Sequence, residues 1–487
     1  MIGLEVHSQL LTRSKMFCSC RSDYQNNPSN TLVCPVCLGM PGVLPVINRK
    51  AVENVIMAGL ALNCSIALTT KFDRKSYPYP DLMKGYQITQ YDAPIASGGW
   101  IDIDMSGYSK RIGITRIHLE EDVAKLIHRV QLGGDSYSLM DVNRSGVALM
   151  EIVGEPDLRS PEEARNYLVK LRSIIQYLGV SSGNMEEGSF RCDANVSIRP
   201  IGSKEFLTRV EIKNMNSFRS VYLALVYEAK RQIALVEGGG RVEQETRGWD
   251  QENWRTVSQR TKELAHDYRY FPEPDLPPLV IDGKWVEDLR VRLPELPEMK
   301  RDRFIKQYGV SLNEANLLTF SKSSSEFFET TMSLGALEGD AIYKRARGVG
   351  NWMLGELTRL LRGSNQEINE CKVKPSHLWE LLGLLDEGVV TTTLAKVVLE
   401  EVFCTGKAPA QIVGDNDYVQ LDDPEQLGGF VEDALMRNPQ AVADYINGKD
   451  TAAGFLMGHV MKASKGKANP NKVNEALRRR LQQIRAS

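Results

Sequence analysis

Cys18-Ser19-Cys20 is followed thirteen residues later by Cys34-Pro35-Val36-Cys37. Each short knuckle supplies two sulfurs, and a structural zinc ion takes four thiolates from two such knuckles. The insert between them is turn-rich, with Asn26, Asn27, Pro28, Ser29 and Asn30. Four sulfurs close the coordination shell, so Cys18, Cys20, Cys34 and Cys37 are predicted to hold a structural zinc rather than a catalytic one. The plainer alternative is four thiols that merely fall close in sequence. Cys64, Cys192, Cys371 and Cys404 are scattered and read as small buried hydrophobes.

A second set of residues could do acid–metal chemistry. In the first run Leu4 and Val6 alternate with Glu5, His7 and Gln9. Side chains two apart share one face of a strand, so Glu5 and His7 point away from the apolar side. Cys192, Ala194, Val196 and Ile198 alternate in the same way with Asp193, Asn195 and Ser197, and Val210 and Ile212 with Arg209, Glu211 and Lys213. More acids fall between these runs: Glu120, Glu121 and Asp122 end one, Glu151 and Glu155 follow another, and Glu186 and Glu187 precede the Asp193 run. Carboxylates with one imidazole and nearby Lys and Arg are what a magnesium–phosphate site requires. The ordinary alternative for any one strand is a solvated surface.

The elements that must hold these residues divide the chain. Strand-like alternation interrupted by helices predicts an α+β fold, with a mixed, largely antiparallel sheet forming a cradle domain over residues 1–292. Ser160-Pro161-Glu162-Glu163 reads as a capping box opening a helix with Leu168, Leu171, Ile174, Ile175 and Leu178 at helical spacing, stopped at Gly179. A second helix follows Asn216-Ser217 and ends before Gly238. Proline-rich stretches at 271–278 and 293–297 close the sheet region. Beyond them the pattern is helical, as over 352–361 and 389–402, predicting a helical domain over 293–405 and, after the break at 405–409, a small helical tail over 406–487.

Composition bounds the rest. The 487 residues carry 60 basic and 62 acidic side chains, so whole-chain charge selects no partner. The longest apolar run, residues 55–62, is far short of the roughly 20 residues a spanning helix needs. No secretory pattern opens the chain, and a cytoplasmic protein without membrane attachment is expected. No P-loop, complete GxGxxG, HExxH or GxSxG is found, so ATP, if used, is not held by a P-loop.

Eight ordered motifs then carry a family resemblance: Gly3-Leu4-Glu5-Val6-His7, Tyr86-Gln87-Ile88-Thr89-Gln90, His118-Leu119-Glu120-Glu121-Asp122, Asp141-Val142-Asn143-Arg144, Met185-Glu186-Glu187-Gly188-Ser189, Arg191-Cys192-Asp193-Ala194-Asn195, the run from Asp267 through Tyr268-Arg269-Tyr270-Phe271-Pro272 to Asp275, and Met461-Lys462-Ala463-Ser464-Lys465-Gly466. Over essentially its whole length the chain resembles GatB, the tRNA-binding subunit of the aspartyl/glutamyl-tRNA amidotransferases. The resemblance implies a glutamine-dependent ligase that forms a carbon–nitrogen bond (EC 6.3.5.-). Such an enzyme works as a heterotrimer with a glutaminase/amidase subunit, which frees ammonia from glutamine, and a small stabilising subunit. The GatB chain is then expected to bind misacylated Glu-tRNA(Gln) or Asp-tRNA(Asn), to phosphorylate the side-chain carboxylate with ATP and Mg²⁺, and to amidate it with channelled ammonia.

The resemblance places Glu5, His7, Glu121 and Glu151 at the metal, with Asp193 and Glu211 close by. It puts Lys75 on phosphate or the aminoacyl end, and Glu186 among the Mg²⁺/ATP residues. Strand alternation leaves the choice between Glu120 and Glu121 open; the family favours Glu121. Members usually carry a few more residues before the first strand, and their cysteine knuckles are not universal, which suits a structural zinc.

Lys71 to Lys75 and Tyr77 to Pro80 interleave cations with aromatics, which suits an unstacked nucleotide end; the plainer alternative is core aromatics beside a solvated basic turn. Residues 461–487 hold eight basic side chains against the single acid Glu475. Such a basic tail on a near-neutral chain reads as a phosphate-backbone footprint, with a solubilising helix end as the plainer alternative. The resemblance turns Lys462, Lys465, Lys467, Lys472, Arg478, Arg479 and Arg480 toward the tRNA body. His128, His377 and His459 read as packing residues. Two other classes compete: a zinc-stabilised tRNA-binding module with no chemistry of its own, and a stand-alone metal-dependent hydrolase.

Overall fold

The computed structural model describes residues 1–130, 136–203, 205–261, 268–416, 418, 420–421, 423–464 and 466–486. The chain forms two compact units, Met1–Pro297 and Glu298–Ser487.

In the first unit the order is β1 (Ile2–Gln9), α1 (Arg49–Ala61), β2 (Ser65–Ile66), β3 (Thr69–Thr70), β4 (Asp73–Ser76), β5 (Tyr86–Thr89), β6 (Ala96–Met105), β7 (Tyr108–Glu121), β8 (Lys125–Val130), β9 (Ser136–Asp141), β10 (Ala148–Gly154), α2 (Pro161–Tyr177), β11 (Phe190–Val196), β12 (Val210–Met215), α3 (Phe218–Glu237), β13 (Glu245–Asp250), β14 (Arg255–Thr261), β15 (Phe271–Pro272), β16 (Leu279–Val280) and α4 (Gly283–Val291). Nine strands make one sheet in the order β14-β13-β12-β11-β1-β10-β7-β6-β2. Its neighbours are antiparallel except β12 and β13, which run parallel. The mixed, largely antiparallel sheet expected from alternation is therefore present, with helices beside it and a helical second unit.

The period-2 pattern sets which face is dry. Leu4, Val6, Cys192, Ala194, Val210, Ile212, Ile117, Leu119 and Ile152 are all buried, and most of them join one core with the buried faces of α1, α2 and α3. At about 25 cal/mol per Å² of apolar surface, each fully buried aliphatic side chain contributes about 1.5–3 kcal/mol. Gly99 lets β6 cross close to the end of α1: a Cβ there would lie 2.3 Å from Cys64 Sγ and 2.5 Å from the Leu62 carbonyl.

Ser160 caps α2 as predicted, accepting from Glu163 N–H at 3.1 Å, with Pro161 in the first turn. The Glu163 carboxylate does not reach back to Ser160; it takes Arg159 N–H at 2.7 Å and Lys110 Nζ at 2.7 Å, joining the helix to β7. Gly179 follows the helix at φ +67°. Ser217 caps α3, which ends at Glu237 before Gly238. The proline-rich stretch is paired structure: β15 extends a small sheet in the order β15-β4-β5, and β16 pairs with β3.

The second unit is helical among its described residues and carries two apolar cores, one between Phe304 and Val413, the other between Leu427 and Leu481. They are tied by Thr391 Oγ1, which donates to the Gly466 carbonyl at 2.7 Å. A π-turn over Met353–Leu357 interrupts the helix expected over 352–361. The helix expected from 389 starts at Thr392, because Thr391 caps it. Among the described residues no helix is long and apolar enough to cross a membrane.

Candidate metal and phosphate site

Strand order, more than proximity in sequence, builds the site. The central strand β1 lies between β10 and β11, so His7 faces Glu151, which in turn faces His118 of β7. On the other side Glu5 pairs with Asp193. Glu211 sits opposite Asn195 and Thr246. These positions share the face opposite the apolar core.

His7 Nε2 lies 3.4 Å from Glu151 and 3.7 Å from Glu120, and His118 Nε2 lies 3.2 Å from Glu151. One ligand atom from each of His7, Glu120 and Glu151 falls within 4.8 Å of the others. An octahedral cation with about 2.1 Å bonds spaces its ligands roughly 3 to 4.2 Å apart, so small side-chain shifts bring these three onto one divalent ion. Burial lowers the His7 pKa, but Glu151 and then Glu120 and Asp193 outweigh it and raise it to about 9, so a divalent cation binding at Nε2 must displace a proton. Burial pushes Glu151 up, and His118 and His7 overcome that, holding it well below the usual carboxylate range.

A cavity of about 570 Å³ opens on this face, lined by His7, Lys75, Glu120, Arg191, Asp193 and Lys213 among others. Lys213 Nζ donates to Asp193 at 2.8 Å and lies 3.7 Å from Glu211, which accepts from Thr246 Oγ1 at 2.9 Å. Glu5 accepts from Asn195 Nδ2 at 2.8 Å. Across the cavity Lys75 lies 5.0 Å from the Tyr268 ring and 5.9 Å from Tyr77. Burial lowers the Lys75 pKa, but Glu120 and Glu151 keep its ammonium charged by raising it. Tyr270 stacks on Tyr91 with ring centroids 4.1 Å apart, extending this aromatic wall.

The expected residues separate into groups. Glu5, His7, Glu151, Asp193 and Glu211 share the sheet's polar face, and Lys75 lines the cavity. Glu121 points elsewhere: it pairs with Lys84 and accepts from Ile88 N–H at 2.9 Å. Glu120 stands beside His7 instead. Glu186 is exposed on the turn before β11, its backbone bonded to Asn184 Oδ1 at 3.0 Å, and does not line the cavity. Sequence reasoning gives no site role to His118, Arg191 and Lys213, although alternation already puts Lys213 on the polar face beside Glu211. Arg191 stands two residues from Asp193, so the same period reaches it.

Asp122 anchors one wall. It is buried and accepts from Gln9 Nε2 at 2.7 Å and Arg191 at 3.0 Å, with Arg144 at 3.7 Å. Burial raises its pKa, and the two arginines outweigh that and lower it below 3.8. The stability this adds is complete above pH 3.8 and is lost as pH falls through the folded-state value. Asp122→Asn should therefore cost about 3 kcal/mol in urea unfolding at pH 7, with the deficit shrinking below about pH 4.

The knuckles come together within the first unit. Cys34 and Cys37 Sγ atoms are 3.9 Å apart, and all four sulfurs fall within 4.8 Å of one another. A tetrahedron with zinc–sulfur bonds of about 2.3 Å has edges of roughly 3.8 Å, so the donor set fits zinc. The Cys34 N–H donates to Cys37 Sγ at 3.1 Å. The Cys37 thiol is pulled down to about 4, first by its hydrogen bond with Cys18, against burial. Cys64 and Cys192 are buried as expected, whereas Cys404 is exposed.

In the tail the helix Pro470–Ala486 buries Val473, Leu477 and Leu481 at four-residue spacing. That leaves Lys472, Arg478, Arg479 and Arg480 exposed, along with Lys462 before the helix, while Lys467 is half-buried. Arg480 pairs with Glu432 at 2.5 Å. Lys465 lies outside the described residues.

Residues 1–287 match the family described as the GatB/GatE catalytic domain, and residues 336–481 that described as the GatB domain. The chain is 53% identical over 485 residues to the B subunit of the aspartyl/glutamyl-tRNA(Asn/Gln) amidotransferase of Dehalococcoides mccartyi (strain CBDB1), spanning 99% of each. It is 52% identical over 484 residues to the protein of the same name from Carboxydothermus hydrogenoformans, again over 99% of each. The Moorella thermoacetica counterpart is 53% identical over 481 residues, with the same coverage.

Proposed function

We infer function from the premise that the chain belongs to the GatB family of the tRNA-dependent amidotransferases. The reading is ATP- and Mg²⁺-dependent phosphorylation of the side-chain carboxylate of misacylated Glu-tRNA(Gln) or Asp-tRNA(Asn), followed by amidation with ammonia from a partner glutaminase. The whole enzyme is then a glutamine-hydrolysing ligase working in the cytoplasm, with the amidase subunit and the small stabilising subunit as partners. The three-part division into cradle, helical domain and basic tail belongs to the same proposal.

One observation supports this reading most. His7, Glu120 and Glu151 converge within 4.8 Å at a cavity that also carries Lys75, Arg191 and Lys213. Acids that hold a divalent cation, ringed by cations that hold phosphates, suit phosphoryl transfer, which is mostly positioning and charge neutralisation.

A carboxylate is a poor acyl donor because its oxygen leaves badly. Phosphorylation makes that oxygen part of a phosphate, which leaves well when ammonia attacks the carbonyl carbon. A bound Mg²⁺ would neutralise charge on the triphosphate. His7, Glu120 and Glu151 would hold it, with Asp193, Glu211 and Glu5 beside them. Lys75 and Lys213, which both line the cavity, neutralise the phosphates. Tyr77, Tyr268 and Tyr270 shield the acyl phosphate from water, which would hydrolyse it. The zinc at Cys18, Cys20, Cys34 and Cys37 is structural.

The test uses the purified three-subunit complex, misacylated Glu-tRNA or Asp-tRNA, ATP, Mg²⁺ and ammonium chloride. Ammonium bypasses the glutaminase. Amidated tRNA should form with wild type and fall at least about 100-fold with Asp193→Ala. Equal product from both would overturn the site, and tRNA binding without product from either substrate would favour a binding module.

The tail carries a separate expectation. Replacing Arg478, Arg479 and Arg480 by glutamine should weaken tRNA binding at least about tenfold and reduce the slope of log affinity against log salt by up to about 0.9 per lost phosphate contact. The maximal rate at saturating tRNA should hold.

A further inference from the structure

Lys15 is fully buried, at 0% exposure. Lysines are almost never buried to that degree unless paired, because an unpaired ammonium loses its hydration without return. Lys15 Nζ donates to the Leu32 carbonyl at 2.8 Å and to Cys37 Sγ at 3.6 Å. Among the described residues no carboxylate pairs with it. Its one anionic partner there is therefore a sulfur of the four-cysteine cluster.

The surroundings hold it in place. The Lys15 N–H bonds the Cys20 carbonyl at 2.9 Å, and its own carbonyl accepts from Asn48 Nδ2 at 3.1 Å. Gly146, at φ +81°, packs against both partners: a Cβ there would lie 3.5 Å from Lys15 Cδ and 3.6 Å from Cys37 Cβ. The ammonium thus enters the cluster from inside the fold.

Four thiolates around one zinc ion leave two net negative charges in a partly buried site. A neutral cluster of thiols would leave the Lys15 ammonium with no counter-charge. The two problems cancel. We propose that Lys15 is a positioning residue of the metal centre, the built-in counter-charge that stabilises Cys37 as a zinc-bound thiolate. The inference rests on the zinc reading of the cluster and goes beyond it by assigning a residue that spacing rules do not mark.

The experiment measures zinc affinity of the full-length chain by competition with a chromogenic chelator. Lys15→Met should bind zinc about 10–100-fold more weakly than wild type, the usual loss for an outer partner of a metal ligand. Cys37→His exchanges the facing thiolate for a neutral ligand, so adding it to Lys15→Met should cost much less than it does alone. Zinc affinity of Lys15→Met within twofold of wild type, or losses that simply multiply in the double variant, would overturn the proposal while leaving the zinc site standing. A wild-type chain that binds no zinc would overturn both. If Lys15→Met does not fold, Cys37→His is compared with Cys20→His. The first strands the ammonium and should weaken zinc binding about tenfold more than the second; equal losses would contradict the assignment.

Discussion

Glu151→Gln should lower ammonium-supported amidation at least about 10³-fold while leaving tRNA affinity within about twofold. The size follows from where Glu151 sits. Its carboxylate is buried between two imidazoles, His7 at 3.4 Å and His118 at 3.2 Å. It is one of two carboxylates in the candidate cation site. A glutamine keeps the shape and removes the charge, so the cation loses half its anionic ligands. The two histidines also lose the counter-charge that sets their positions, and Lys75 loses one of the charges that hold its ammonium. Single-turnover amidation with saturating tRNA measures the loss. Glu186→Gln, on an exposed turn outside the cavity, is the matched control and should stay within about threefold. Retention of more than a tenth of wild-type rate by Glu151→Gln would mean that the cation binds elsewhere.

Removing zinc should produce the largest effect on stability. Replacing Cys18 and Cys37 by serine should empty the site, read as zinc per chain by mass spectrometry, and cost about 5 kcal/mol or more. For a unit of this size that lowers Tm by roughly 10 °C. The damage should extend beyond the knuckle. Met16 N–H bonds the Gly146 carbonyl at 2.7 Å, and Gly146 N–H bonds the carbonyl of Asp122 at 2.8 Å. Asp122 holds Arg191 at the cavity wall. Loss of the metal should thus raise KM for ATP as well as loosen the fold. Unchanged Tm with zinc absent would show that the cysteines are held without a metal.

How much of this was legible depends on the range of the interactions. Alternation in β1, β11 and β12 is local, so the polar face carrying Glu5, His7, Asp193 and Glu211 could be read from spacing. The same rule reaches further than it was taken: Ile117 and Leu119 are buried, which puts His118 and Glu120 on the polar face and turns Glu121 toward Lys84. What spacing could not supply is strand order. Glu151 meets His7 only because β1 pairs with β10, and Asp193 meets Glu5 only because β1 pairs with β11, both strands far away along the chain. The Asp122–Arg191 pair is equally non-local. In the helical unit, the Thr391 cap beat the apolar run at Val389-Val390, since a satisfied N-terminus outweighs two more apolar positions. Knuckle spacing marked the four sulfurs, but nothing in it marked Lys15.

Everything proposed for the β1-centred cavity turns on one step, activation of the side-chain carboxylate as an acyl phosphate. Glu-tRNA labelled with ¹⁸O in both side-chain carboxylate oxygens, given to the complex with ATP, Mg²⁺ and ammonium chloride, reports on that step. If the carboxylate attacks the γ-phosphate and ammonia then displaces phosphate, one labelled oxygen must leave in each phosphate released with amidated tRNA. Mass spectrometry of the inorganic phosphate should find one ¹⁸O per amidated tRNA with wild type, and labelled phosphate should vanish with Glu151→Gln. Amidated tRNA formed alongside unlabelled phosphate would show that no acyl phosphate forms.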